Sequence, residues 1–201
     1  MSMVGSGQIQ LGGSATSGGD NRSIALELEV GGTSQADMNA SAYRTLAGKP
    51  SGQIKLSDFY NKDRYVDVSV TLGGYLLNDG FSHDFDGFVD NSSGLLLAAG
   101  AGIYGSVSAF GSRSPTSVFG YTIGGIYTMQ STLYAPLTVV RLNTAGLAKS
   151  TFYSIYNSNF GTLLTSAATL VTSGSITEWA WIGAPWYGLS GVKTVRFYKT
   201  S

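Results

Sequence analysis

A mainly β fold is predicted, with a small N-terminal module of short strands and short helices ahead of a β-sandwich-like region. Three observations predict it. Glycine reaches 28 of 201 residues beside 12 tyrosines, while charged residues make up only 12%, which describes turn-rich β structure rather than a helical bundle or a highly charged disordered chain. After residue 64, short β-branched and aromatic runs recur at sandwich-like spacing, most of them separated by Gly, Ser, Asn or Pro. Before it, the hexapeptide Ser6-Gly7-Gln8-Ile9-Gln10-Leu11 returns as Ser51-Gly52-Gln53-Ile54-Lys55-Leu56, so two copies of one strand signal bracket a small unit.

In each copy a Ser-Gly turn former precedes Ile and Leu two apart, with Gln or Lys pointing outward, the period of a half-buried strand. Gly12 to Asp20 is a Gly/Ser/Thr loop. Ile24 to Val30 alternates like a strand, yet the preceding Asn21-Arg22-Ser23 and the following Gly31-Gly32 would also start and stop a short helix, and both readings stay open. Asn39 caps a helix over Ala40 to Ala47, with Gly48 at its C-terminal stop and Pro50 preventing continuation. Beyond the second hexapeptide, Ser57 caps a one-turn helix with Asp58 at its positive end.

The β-branched alternation of Tyr65 to Leu72 marks a boundary near residue 63. Turns are expected at Asp79-Gly80 and at Asp90 to Gly94, with strands flanking both. Later strands are expected at Tyr121–Ile123, Ile126–Thr128, Leu137–Val140, Thr162–Leu164, Ala168–Val171, Thr177–Trp181 and Thr194–Tyr198. Ser150 to Tyr156 suits a strand or a short helix. The resulting division is 1–63, a connecting β region 64–110 and a sandwich-like region 111–201, with the last two allowed to be continuous.

With 43% hydrophobic residues and no cysteine, stability must come from packing, within the chain or across subunits, and neither disulfides nor thiolate metal sites are available. Net charge is zero and no basic run offers a path for a nucleic-acid backbone, so nucleic acid is not an expected partner. The opening residues show neither a charged leader nor an apolar signal core, and the longest apolar runs, such as Leu95 to Ala99, are too short to span a bilayer. Synthesis in the cytosol without membrane insertion is the expectation. Residues 64–110 carry five acids against Arg64, and residues 111–201 carry six bases against Glu178. Solvated surface accounts for such asymmetry, and complementary contact between subunits would use it.

The segment Asp79 to Asp90 holds four carboxylates and His83, the only histidine. Asp79, Asp84, Asp86 and Asp90 are therefore the candidate ligands for a divalent ion such as Ca²⁺. The spacing is not that of an EF-hand, no bidentate Glu closes it, and Phe81, Phe85 and Phe88 are placed to anchor a loop on a core. A Ser-His-Asp relay would need His83 and lacks a Gly-x-Ser-x-Gly elbow. A two-carboxylate glycosidase would have to use Glu178, since Glu27 and Glu29 lie in the N-terminal unit. No phosphate loop or dinucleotide fingerprint occurs. No enzymatic activity and no cofactor are expected. Trp179, Trp181, Trp186 and Tyr187 form an aromatic concentration that either fills a β core or contacts a sugar ring or partner surface.

Residues 51–62, Ser-Gly-Gln-Ile-Lys-Leu-Ser-Asp-Phe-Tyr-Asn-Lys, resemble a recurrent motif of tailed-bacteriophage virion proteins, Ser-Gly-x-Ile-x-Leu-Ser-Asp-Phe-Tyr-Gly-Lys, which closes a small N-terminal module. Asn61 replaces the usual Gly and tolerates a left-handed backbone next best. Ala42 to Gly48 is similar to that module's Arg-x-Leu-Ala-Gly stretch, extending the match over 6–62. The segments Gly111–Thr116, Phe119–Ile123, Ile126–Thr128 and Thr177–Trp181 are similar to a β-rich domain of phage tail and fibre proteins.

These resemblances imply a structural component of a tailed-phage virion, a tail- or baseplate-attached fibre or adsorption protein. Ile9, Leu11, Ile54, Leu56, Phe59 and Tyr60 are its expected docking residues for other virion proteins. Trp179, Trp181, Trp186 and Tyr187 are its expected contacts with a host-surface glycan or protein. Likeness to fibre proteins implies a homotrimer and a place on the virion exterior. A capsid decoration or head-fibre protein, a glycan-degrading receptor enzyme and a free carbohydrate-binding module are the rival readings.

Overall fold

The computed structural model describes residues 41–59, 65–77, 82–90 and 107–200. The expectations for residues 1–40, including Ile9, Leu11 and the undecided Ile24–Val30 element, lie outside the described residues, as do Tyr60, Asp79 and Leu95–Ala99. The chain divides into two compact units, 1–66 (with Ser201) and 67–200.

In the first unit, α1 (Ser41–Ala47) occupies the predicted helix. Gly48 follows at φ 68°, and the Lys49 N–H donates to the Arg44 carbonyl at 2.9 Å, closing a Schellman stop that only a left-handed residue completes without strain. The Arg44 guanidinium also donates to the Gly52 carbonyl at 3.1 Å, tying the Ser51-Gly52 turn back to the helix. A single 3-10 turn, η1 (Leu56–Phe59), comes next. It starts two residues earlier than the Ser57 cap predicts: Lys55 is the cap, its N–H donating to the Asp58 carboxylate at 2.8 Å, while the Asp58 N–H donates to the Lys55 carbonyl. Asp58 is thus a reciprocal cap as well as a charge at the positive end.

The second unit is mainly β. A five-stranded sheet runs in the order β4 (Ser112–Ser114), β1 (Tyr65–Thr71), β12 (Val192–Lys199), β8 (Phe152–Asn157), β9 (Gly161–Leu164). A seven-stranded antiparallel sheet runs β10 (Thr169–Ser173), β11 (Ile176–Ile182), β7 (Leu137–Leu142), β6 (Tyr121–Gln130), β3 (His83–Val89), β2 (Gly73–Leu77), with β5 (Ser117–Val118) also paired to β6. Strands from 65–89 enter both sheets alongside strands from 112–199. The expected connecting region 64–110 is therefore no separate layer, because β1 to β3 need those partners for their backbone hydrogen bonds.

Three local predictions change in instructive ways. The two runs around Gly124-Gly125 form one ten-residue strand, since the pair is absorbed as a bulge between Ile123 and Gly125. Segment 150–156 is both of its alternatives in succession, a 3-10 turn η2 (Lys149–Thr151) leading into β8. The acidic segment is not a loop anchored by phenylalanines over its described part: residues 83–89 are the strand β3, with Asp84 and Asp86 on one face and His83 and Phe85 on the other.

Core sits on both faces of the seven-stranded sheet. Toward the five-stranded sheet, Ile126, Val140 and Trp179 lie on one rung, and Trp179 meets Phe152 of β8 at 5.8 Å between ring centroids; Phe152 meets Phe197 of β12 at 5.3 Å. On the opposite face Phe85, Tyr127, Met129, Leu137, Val139 and Ala180 cluster with Val107 and Phe110. Every residue of β7 is buried as a result, the continuous pattern of a strand covered on two sides.

Candidate binding cleft

The inward parity of Phe197 and Ile155, which face each other in register, forces Arg196 and Tyr156, the next facing pair, onto the outer surface of the five-stranded sheet. On β1 the fully buried Val68 and Val70 put Asp67 on the same outer surface. The Arg196 guanidinium donates to both Asp67 carboxylate oxygens, Nε at 2.7 Å and Nη2 at 3.0 Å. This fork-to-fork pair crosses from β12 to β1 and fixes both planes. Tyr156 is 40% exposed beside it.

A cleft of about 440 Å³ opens over these residues. Ser158 and Asn159, in the turn between β8 and β9, form one wall; Val192, Lys193 and Thr194, where β12 begins, form another. The buried Asn157 carries the structure beneath. Its Nδ2 donates to the Thr194 carbonyl at 2.7 Å, and its Oδ1 accepts from the Asn159 N–H at 2.9 Å and from the Trp186 Nε1–H at 3.2 Å. One amide thus sets the turn, the start of β12 and a buried tryptophan.

Asn157→Ala should cost about 2–4 kcal/mol, because it leaves a buried indole N–H without a partner and removes the ties to the Thr194 carbonyl and the Asn159 N–H. Urea unfolding followed by tryptophan fluorescence measures it, and a loss below about 1 kcal/mol would show that the hub is not needed.

The expected contact aromatics are placed differently. Trp179 and Trp186 are fully buried, which corrects their assignment to surface contact: the first fills the space between the sheets and the second hangs its N–H on Asn157. Trp181 is half-buried, its Nε1–H directed at the Leu164 carbonyl at 3.4 Å. Tyr187 is exposed. Of the docking residues, Ile54 is half-buried and Phe59 is buried, while Leu56 lies in η1.

Asp90 accepts from the Asn143 amide at 2.7 Å and Asp86 from the Gly188 N–H at 3.0 Å. Burial raises the Asp86 carboxyl against that hydrogen bond, and Asp84 adds to the rise. Among the described residues no group of three or more acidic, histidine or cysteine side chains gathers as a cation site.

A second polar group lies inside the seven-stranded sheet. Arg141 and Glu178 face each other across β7 and β11, both fully buried, with Nε and Oε1 3.9 Å apart. That is beyond hydrogen-bond reach, and neither side chain has a hydrogen-bond partner among the described residues. Burial drives the Glu178 carboxyl up to about 8 against the pull of Arg141. Both side chains are fully buried, and the pair is structural.

The cleft residues were not singled out by sequence. Asp67 and Arg196 are outward positions of alternating strands, a signal shared by any solvated strand face, and they are separated by 129 positions. Comparison with protein-family models, curated proteins and solved structures returned no match.

Proposed function

We propose that this chain is a non-enzymatic structural protein of a tailed-phage virion, a tail- or baseplate-attached fibre or adsorption protein. Residues 1–63 dock on other virion proteins, and the β sandwich projects toward the host surface as part of a homotrimer. The observation that supports this reading best is the division of labour in the chain. The stretch that resembles the phage module, including Ser51–Phe59, falls in one compact unit, and the sandwich with its open polar cleft falls in the other. Short segments stopped by local caps, as in α1 and η1, suit a small unit that completes its core against a partner.

Immunogold labelling of intact particles with antibody against the chain should mark the tail or baseplate. Deleting residues 1–63 should abolish incorporation into particles. Incorporation of the truncated chain at the level of the full chain would overturn the docking assignment, and label confined to the capsid would favour the head-fibre rival.

A further inference from the structure

We propose that the cleft on the outer face of the five-stranded sheet binds a saccharide carrying a carboxylate, an acidic sugar of the kind found in surface polysaccharides. The inference rests on the adsorption reading for its biological setting and on the cleft's own chemistry for its ligand.

A sugar ring has an apolar C–H face and a rim of hydroxyls, each both donor and acceptor. Tyr156 offers an exposed ring near the end of β8, opposite Arg196 on one side and Thr162 on the other, and a ring held by a strand loses little freedom on stacking. The Asp67–Arg196 pair presents acceptor and donor planes side by side at fixed spacing, the arrangement that vicinal hydroxyls bridge. Asn159 adds an amide from a turn held by Asn157. These groups are therefore positioned before any ligand arrives, which reduces the ordering cost of binding.

Charge selects among sugars. Asp67 and Arg196 neutralise each other, while Lys193, beside them, has no hydrogen-bond or ion-pair partner among the described residues. Among the described residues that line it, the cleft thus carries one positive charge beyond the Asp67–Arg196 pair, matched by a single carboxylate. A nucleic-acid backbone would need several such cations and would meet the Asp67 carboxylate. A wholly apolar ligand would leave the ion pair desolvated without compensation. The volume of about 440 Å³ lies in the range of small-ligand clefts.

The test uses the full-length protein with uronate oligosaccharides and sialyllactose, each beside its carboxyl-reduced counterpart, measured by calorimetry or ligand-observed NMR. An acidic probe should bind with Kd of about 10⁻⁴–10⁻³ M, as an open cleft of this size allows. Tyr156→Ala should weaken it about tenfold or more. Lys193→Gln should weaken the acidic probe about threefold to tenfold and leave the reduced counterpart unchanged. For the unaltered protein, raising salt should weaken only the acidic probe, a result that needs no variant to fold. Equal binding of acidic and reduced forms, insensitivity to Tyr156→Ala, or no binding of any acidic probe would overturn the proposal. Loss of particle incorporation alone would not bear on it, because this assay contains no particle.

Discussion

Replacing Arg141 by Met and Glu178 by Leu together should raise the free energy of unfolding by about 1–4 kcal/mol. Two charges removed from water regain their solvation only when they meet at hydrogen-bond distance and their remaining donors and acceptors are satisfied. Here Nε and Oε1 stand 3.9 Å apart, and all three guanidinium nitrogens and both carboxylate oxygens lack hydrogen-bond partners among the described residues. The Coulomb attraction left to offset desolvation is too weak to keep Glu178 ionised at neutral pH, its carboxyl being driven up to about 8. Met and Leu fill similar space on a face already occupied by Tyr127, Val139 and Ala180.

The same imbalance fixes the pH dependence. Glu178 ionises near 4.5 when exposed and near 8 in the fold, so between those values the native chain holds a proton that the unfolded chain has lost. Stability is then full below about pH 4.5 and falls as pH rises toward 8. Glu178→Gln should remove that slope while keeping the side-chain shape. Denaturant unfolding at pH 5, 6.5 and 8 measures both effects. A double variant less stable than the parent, or a parent whose stability rises through this window with Glu178 as the cause, would mean that the pair is favourable.

Much of the fold was legible in the sequence because its signals are local. The alternation of Tyr65 to Thr71 produced β1, and Gly48 with Pro50 stopped α1 where expected. Long-range features were not legible. Glu178-Trp179-Ala180-Trp181 shows a strand's period, but nothing local says that both faces are covered, and so Trp179 was open to a surface role that its complete burial removes. Asp84 and Asp86 read as a loop because acids are rare in strands; their partners, Gly188 and Gln130, lie far along the chain. The cleft was invisible for the same reason. Asp67, Tyr156 and Arg196 become neighbours only through the strand order β1-β12-β8.

Gly87→Ala should cost about 3–5 kcal/mol, the range of an overpacked and backbone-strained core position. Gly87 adopts φ 146°, a region that residues with a Cβ scarcely enter. A Cβ there would lie 2.4 Å from the Ile126 carbonyl oxygen and 2.6 Å from the Tyr127 Cα, backbone atoms of β6 that cannot move without breaking the β3–β6 ladder. The crowding belongs to a corner where the chain crosses between the two sheets. The chain leaves β1 in the five-stranded sheet and enters β2 in the seven-stranded one at Gly73, and it leaves the Val89–Phe110 bridge and enters β4 at Gly111. The two crossings pass so closely that a Cβ on Gly73 would sit 2.5 Å from the Gly111 nitrogen. Gly74, the next residue along β2, is the internal control. Its Cβ would make only ordinary van der Waals contacts, with the Asp86 carboxylate at 3.7 Å and the Phe85 carbonyl oxygen at 3.9 Å, and Gly74→Ala should change stability by less than about 0.5 kcal/mol. Thermal and urea unfolding of the two variants side by side separates close approach from loss of glycine as such. Equal effects at positions 87 and 74 would refute the corner as the cause, since only one of them touches it.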